Sequence, residues 1–301
     1  MIELSIIIVS WNVKDFLHQL IDSIFQFTEG VEYEIVVVDN NSSDDTARFL
    51  QNEYRHFVGD EKLRIIANNF NAGFAKANNQ GLKIAKGKYI LFMNPDMELI
   101  ENSFLDLTKF MDQSPDVGVC TCQLLYGDNT IQPNIKDEPT FLSQLLILLK
   151  FHHALRGLSC LKKYFRSDFD YSRIQYVSQV MGAFIFTRKE VMDKIGNWDE
   201  DYWLWWEDVE LCYDIKAAGF EIVYLPITKV IHYEGKSFGQ TRGWQKQKRF
   251  NRGMILYFKK RGKHLITFIF WILQPVSFIL TAITTIFRVK PASQSKLTKQ
   301  N

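Results

Sequence analysis

The chain lacks most of the features that would assign it at a glance. Four cysteines occur in 301 residues. Cys120, Cys122, Cys160 and Cys212 show neither CxxC pairing nor the density of a disulfide framework, so reduced, cytosolic thiols are expected. The formal net charge is only +2, which gives no argument for a nucleic-acid partner. No Gly-x-Gly-x-x-Gly follows the first apolar run, where Ser10-Trp11-Asn12-Val13 stands, and this argues against the usual dinucleotide fold. There is no Walker motif and no internal repeat. The first residues carry Glu3 and no basic segment, so they read as a strand rather than a signal peptide.

What the chain does have is apolar residue, 47% of the total, enough for one large domain or a domain with an appendage. Leu4 to Ser10, Tyr33 to Val38, Leu63 to Ala67, Tyr89 to Met93 and Val117 to Gln123 read as buried strands. Between them, helical spacing is found over Phe16 to Phe25, Asp45 to Tyr54, Phe74 to Ala85 and Ser103 to Met111. This alternation predicts an α/β fold, a mostly parallel, Rossmann-like sheet flanked by helices. Residues 127–176 break the rhythm with turn residues, the apolar run Phe141 to Phe151 and a basic tract at Lys162-Lys163; they read as an insertion on the acceptor side or against a membrane. Val177 to Thr187 is strand-like around Gly182, a short helix is expected over Arg188 to Ile195, and a longer one over Trp206 to Ala218, closed by Gly219. Ile222 to Leu225 and Lys229 to His232 read as two short strands, and Gly243 to Arg261 as a basic helix. The catalytic unit is thus expected over residues 1–242, the basic helix over 243–263, an apolar segment over 264–288 and a polar tail over 289–301.

Leu265 to Phe287 runs for 23 residues without a charge, long enough to cross a bilayer. Basic residues flank both ends (Lys259 to Lys263, then Arg288 and Lys290), so loop charge sets no orientation. Gln274-Pro275 stands at the midpoint, and a re-entrant or interfacial helix pair fits as well as a span.

Chemistry is concentrated at a few points. Asn94-Pro95-Asp96 ends a strand buried on both faces, and the proline stops the ladder there, so Asp96 is delivered at the carboxyl edge of the sheet. A carboxylate in that position suits Mg²⁺ or Mn²⁺ sharing its shell with substrate phosphates; an ordinary Pro-Asp turn is the plain alternative. Asp39 ends another strand on the same edge, where it can meet a ribose or base, or cap a helix. Trp203-Leu204-Trp205-Trp206-Glu207-Asp208 sets aromatic rings beside two acids, as sugar binding and proton removal from a hydroxyl require. The same run also suits a helix start with acids near its positive end. His232, at a strand end, is either structural or a third ligand beside Asp96.

Together these segments resemble the inverting, GT-A fold glycosyltransferases of family 2, in particular their rhamnosyltransferase-like branch. The resemblance rests on Ser5 to Asn12, Val36 to Asp44, Asn69 to Gly81, Phe92 to Asp96, Met181 to Phe184, Trp206 to Cys212 and Val230 to Tyr233, in the family's order over about residues 1–240. It implies a nucleotide-diphosphate sugar donor, dTDP-rhamnose first, a divalent cation, and a glycan or lipid-linked acceptor. By matching position, Ser10, Asn12, Asp39, Asn41, Asn71, Gly73, Asn78 and Asn94 would face the donor nucleotide. Asp96 and His232 would hold the metal, Asp208 would be the base with Glu207 beside it, and Gly182, Trp205 and Trp206 would face acceptor or sugar. Asn94 replaces the first carboxylate of the family's Asp-x-Asp motif, a departure familiar in that branch. The expected location is the cytoplasmic face of the cell membrane, with no nucleic acid bound. A sugar nucleotidyltransferase, which would need an Arg-bearing Gly-rich loop after the first strand, and a non-catalytic glycan-binding scaffold are the competing readings.

Overall fold

A computed structural model describes residues 2–235 and 243–286. The expected polar tail and the flanking Arg288 and Lys290 lie outside the described residues. The first part of the chain forms β1 (Leu4–Ser10), α1 (Lys14–Phe27), β2 (Tyr33–Asp39), α2 (Thr46–Glu53), α3 (Arg55–Gly59), β3 (Leu63–Ala67), α4 (Phe74–Ile84) and β4 (Tyr89–Met93). It continues through β5 (Met97–Leu99), α5 (Ser103–Gln113), β6 (Val117–Leu125), β7 (Ile131–Gln132), β8 (Ile135–Lys136), α6 (Phe141–Leu148) and α7 (Ser159–Phe165). The remainder is β9 (Gln175–Tyr176), β10 (Gln179–Val180), β11 (Phe184–Arg188), α8 (Lys189–Ile195), α9 (Glu207–Ala217), β12 (Glu221–His232), α10 (Gly243–Lys260) and α11 (His264–Ile286).

The main sheet has the order β3-β2-β1-β4-β11-β6-β12-β5. From β3 to β4 the pairs are parallel, as the strand–helix alternation predicts. β11 then enters antiparallel between β4 and β6, so the sheet is mixed in its second half. β1 lies at the centre of the parallel half and shows why the layers form. Its side chains alternate: Ile6 and Ile8 pack with Leu17, Leu20 and Ile24 of α1, while Ile7 faces Ala75 and Leu82 of α4. Each such fully buried aliphatic side chain stabilises by about 1.5–3 kcal/mol. A third cluster, centred on Trp206, Met254, Tyr257, Phe258 and Phe270, joins the tryptophan segment to α10 and α11.

Three details differ from the sequence expectation, each for a local reason. The two short strands near the C-terminal end of the sheet are one bulged strand, β12, whose register on β6 shifts between Leu225 and Lys229. Pro226 lies in that gap and has no N–H to give the ladder. β5 has only three residues, Met97-Glu98-Leu99, too short for its alternation to mark a strand, and it is held by antiparallel pairing with the end of β12. The apolar C-terminal segment is a single helix, not a pair: Pro275 lies inside α11 without ending it. α11 docks antiparallel on α10, with Thr281 bonded to Gln247 (3.2 Å), Ser277 to Asn251 (3.3 Å) and Phe270 against Phe258.

One buried ion pair fixes the amino-end edge of the sheet. Glu34 of β2 is 1% exposed, accepts from Ser5 Oγ and the Lys86 amide, each at 2.6 Å, and pairs with Arg64. Removing one partner of a buried pair leaves the other charge uncompensated. Glu34→Ala is therefore expected to lower unfolding free energy by about 3–5 kcal/mol in urea titrations; a loss under about 1 kcal/mol would show that Arg64 finds compensation elsewhere.

Candidate active site

Register brings the candidate residues to one edge. Ser10 lies opposite Asp39 and Ile8 opposite Met93, so the chain after β4 leaves the sheet beside the ends of β1 and β2. Asp39 is buried there; its Oδ1 and Ser10 Oγ have no protein hydrogen-bond partner. Burial pushes the Asp39 carboxyl above its usual range, against hydrogen bonds from Ser42. Two unpaired buried polar atoms at a strand edge are what a ribose or base would satisfy.

The polar residues around this floor divide by role. Asn12 fastens two loops together, its N–H donating to Ser42 Oγ (2.9 Å) and its Oδ1 accepting from the Ser43 amide (2.6 Å). Asn41 is exposed, with left-handed backbone (φ 65°). Asn71 Oδ1 accepts from Asn40 Nδ2 and the Gly73 amide. Gly73 must be glycine: its φ is 88°, and a Cβ there would lie 2.6 Å from the Trp203 carbonyl oxygen. Asn78 does not join this group, because it is buried in α4 and donates to the Phe74 carbonyl at 3.0 Å. Asn40 was not singled out in the sequence. It is buried, and its amide ties Asn68, Asn71, Ala72 and Gly73 together; only its place next to Asp39 could have marked it.

β5 and β12 complete the edge by setting His232 opposite Met97, while the Tyr233 amide donates to the Asp96 carbonyl at 2.9 Å. Asp96 and His232 are 4% and 3% exposed, with Oδ1 and Nε2 3.4 Å apart. The tautomer follows from the neighbours. Gln132 donates to Glu234 through Nε2, so its Oε1 faces His232 Nδ1 (2.7 Å) and that nitrogen carries the proton. Nε2 then faces the Asp96 carboxylate, with the Asn94 amide also 3.4 Å away. A ring nitrogen, a carboxylate and an amide brought to one point are donor types that a shared cation can use. Among the described residues no group of three His, Cys, Asp or Glu side chains converges, so further ligand oxygens would come from the Asn94 amide, water or a bound phosphate.

The acidic pair is presented by strained backbone. Trp205 and Trp206 both take left-handed φ (64° and 74°), which costs roughly 1–3 kcal/mol each for bulky residues. The bend leads directly into Glu207 and Asp208, the first residues of α9, and Asp208 reaches the start of β11. Asp208 Oδ2 accepts the Gly182 N–H at 3.1 Å, and a Cβ on Gly182 would lie 3.1 Å from Asp208 Cβ. Gly182 thus positions the acid. The adjoining Ala183 carbonyl accepts the Asn94 N–H at 2.9 Å, so one dipeptide links the Asp96 turn to Asp208. Trp206, expected to face a sugar, is 3% exposed and packs on Phe250 and Tyr257; it borders the cavity with little free ring face.

Burial raises both acids, but by different balances. Glu207 is pushed well above the usual range by desolvation and then by the charge of Asp208, and its Oε2 has no partner. Asp208 is raised by burial, with Lys136 and the Gly182 amide pulling the other way. The pair therefore favours a neutral Glu207 beside an ionised Asp208, an acid–base assignment set by environment.

Three neighbouring hollows share lining residues between Asp96 and Asp208. A narrow cleft of about 70 Å³ is lined by Asn40, Asn71, Asn94, Asp96, Trp203 and Arg249. It shares Trp203 and Arg249 with a cavity of about 320 Å³, which in turn shares Trp205 with one of about 380 Å³ containing Asp208. Arg249 of α10 stacks over the Trp203 ring at 3.7 Å. It is the one Lys or Arg among the described residues lining the cleft beside Asp96, and its basic tract alone did not distinguish it from its neighbours.

A model of the Glycosyl transferase family 2 matches residues 5–196. O-antigen biosynthesis protein RfbC of Myxococcus xanthus is 28% identical over 244 residues, 78% of this chain but only 18% of that protein. Rhamnosyltransferase WbbL of Escherichia coli K12 is 25% identical over 235 residues, covering 76% of this chain and 82% of that one. Mannosyltransferase PcManGT from Pyrobaculum calidifontis, solved with GDP-Man and Mn²⁺, has a similar fold: TM-score 0.57 at 15% identity, covering 98% of this chain and 78% of that one.

The raised Glu207 gives a sign that can be checked. An acid protonated in the folded state but ionised when unfolded loses stability as pH rises from the unfolded pKa toward the folded one. Glu207→Gln is expected to become progressively more stable relative to wild type above about pH 4.5, by up to about 1.4 kcal/mol per pH unit. Denaturant titrations from pH 4 to 8 measure this; a stability difference that does not change with pH contradicts a neutral Glu207.

Proposed function

Because this chain belongs to glycosyl transferase family 2, we propose that it moves a sugar from a nucleotide-diphosphate donor to a glycan or lipid-linked acceptor in cell-surface polysaccharide synthesis. dTDP-rhamnose is the first donor to test, given the similarity to a rhamnosyltransferase and the Asn94-Pro95-Asp96 turn. The observation that carries the reading is the Gly182-Ala183 link, which holds Asp208 in fixed relation to the Asp96 edge.

In this reading the nucleoside rests against Asp39 and Ser10, and its diphosphate lies between Arg249 and the Asp96 side. Asp96, His232 and Asn94 would hold Mg²⁺ or Mn²⁺. Such a cation, when bound, neutralises charge on the departing diphosphate. The acceptor hydroxyl gives its proton to Asp208 as its oxygen bonds to the anomeric carbon, and the bond from that carbon to the diphosphate oxygen breaks in the same inverting step. Neutral Glu207 keeps a second negative charge out of the site.

We also propose that α11 lies in the membrane interface on the cytoplasmic face. Leu265, Phe268, Ile272, Val276, Ile279 and Ile283 form one exposed stripe at helical spacing. The opposite side is docked on α10, whose exposed Lys248 and Arg252 would be carried into hydrocarbon if α11 crossed the bilayer. An in-plane helix buries the stripe and keeps those charges in water.

Asp208→Asn is expected to lower sugar transfer about 10²–10⁴-fold while nucleotide binding persists, as removal of a general base does; unchanged turnover excludes Asp208 as the base. Wild-type protein is expected to float with anionic liposomes and Ile272→Glu/Ile279→Glu to remain behind. Equal flotation of both would place the membrane contact elsewhere.

A further inference from the structure

The cavity of about 380 Å³ beside Asp208 has a charge pattern that proton transfer does not explain. Its lining includes Lys136, Lys150 and Lys246, with Asp208 as the sole carboxylate among the described lining residues. The lysines arrive from separate segments: the end of β8, the chain just after α6, and the first turn of α10. Basic residues on one helix face are usually just solvated, but three elements converging on one hollow are not such a face. None of the three is within ion-pair distance of a carboxylate among the described residues. Lys150 is half-buried on left-handed backbone (φ 61°), and its ammonium meets the neutral amide of Gln247. A partly desolvated cation held by an amide alone is stabilised by an incoming anion. His152 adds no charge, since burial holds it down to about 4.

These lysines line none of the cleft beside Asp96, whose lining contains a different cation, Arg249. The mouth near Lys150 faces a different neighbour. Ile147 of α6 lines it, and α6 packs on the apolar helix α11 through Phe141 and Phe270, with ring centroids 5.6 Å apart. Asp208, three lysines without an ion pair among the described residues, and the apolar helices α6 and α11 suit in turn a saccharide, a diphosphate and a lipid chain.

Resting on the transferase reading, we infer that Lys136, Lys150 and Lys246 form a second anionic subsite that binds the diphosphate of a lipid-diphosphate-linked saccharide acceptor, with its sugar at Asp208 and its lipid toward α6 and α11. The subsite is separate from the donor's, and it selects acceptors by charge.

Binding of farnesyl diphosphate, farnesol and inorganic pyrophosphate, followed by isothermal titration in Mg²⁺ with and without excess dTDP and UDP, tests this without requiring turnover. The expected result is that farnesyl diphosphate binds more tightly than either partial probe, that neither nucleotide displaces it, and that Lys150→Gln and Lys246→Gln each weaken it about tenfold or more. Lys150→Arg keeps the charge and is expected to restore most of the affinity, which separates a lost contact from a misfolded variant. Displacement by either nucleotide would assign the probe to the donor cleft and overturn the subsite. Pyrophosphate binding as tightly as farnesyl diphosphate would overturn the lipid-linked acceptor in favour of a free phosphate site. Unchanged affinity in folded lysine variants would overturn the assignment of the residues. Nucleotide binding is read in its own titrations: if neither dTDP nor UDP binds while farnesyl diphosphate does, the transferase reading fails and the anion subsite stands.

Discussion

Two backbone hydrogen bonds at the start of β11 set the geometry of the whole site. The Asn94 N–H donates to the Ala183 carbonyl, and the Gly182 N–H donates to Asp208. One dipeptide therefore spans from the turn that carries Asp96 to the acid that begins α9. The parallel half of the sheet presents Ser10, Asp39 and Asp96 along one edge, and the antiparallel entry of β11 brings a strand's first residues, rather than its last, to that same edge. A wholly parallel strand there would put Gly182 at the other end of the sheet. The mixed topology is thus what brings Asp208 to the edge that carries Asp96.

The elements after β12 close what the sheet leaves open. α10 supplies Arg249 to the donor cleft and Lys246 to the acid's cavity, and it packs closely on the tryptophan bend because Gly253 leaves room for the Trp206 ring. The left-handed backbone at Trp205 and Trp206 is held by that packing and by the surrounding aromatic cluster. Strain at the acids and burial of Trp206 are one arrangement, in which core contacts away from the sheet hold a carboxylate pair in a position the local chain would not adopt alone. α11, docked along α10, gives this same layer its exposed apolar face.

Much of this was legible in the residues because it is local. Continuous apolar runs marked β1, β2 and β4, and the breaks after them marked Asp39 and Asn94-Pro95-Asp96 as edge residues. The antiparallel direction of β11 left no local signature, since it follows from the path of the preceding insertion. β5 is defined by its partner, not by its own three residues. Asn78 and Trp206 lie in stretches that carry the family resemblance, yet one serves its own helix and the other the core; residue type does not say which way a side chain points. Arg249 was hidden among equally basic neighbours, and only the fold puts its guanidinium over Trp203. The acids Glu207 and Asp208 were visible as a pair, but their division into a neutral and an ionised partner depends on burial and on Lys136, which lies far away in the chain.

The central claim is a nucleotide-diphosphate site at the carboxyl edge that works with a divalent cation. Isothermal titration of dTDP and UDP into the purified chain, with Mn²⁺ and then with EDTA, addresses it most directly. The account predicts saturable binding in Mn²⁺ that is lost in EDTA and in Asp96→Ala. No binding of either nucleotide to folded protein in the presence of Mn²⁺ would contradict it and leave a glycan-binding scaffold on a transferase fold.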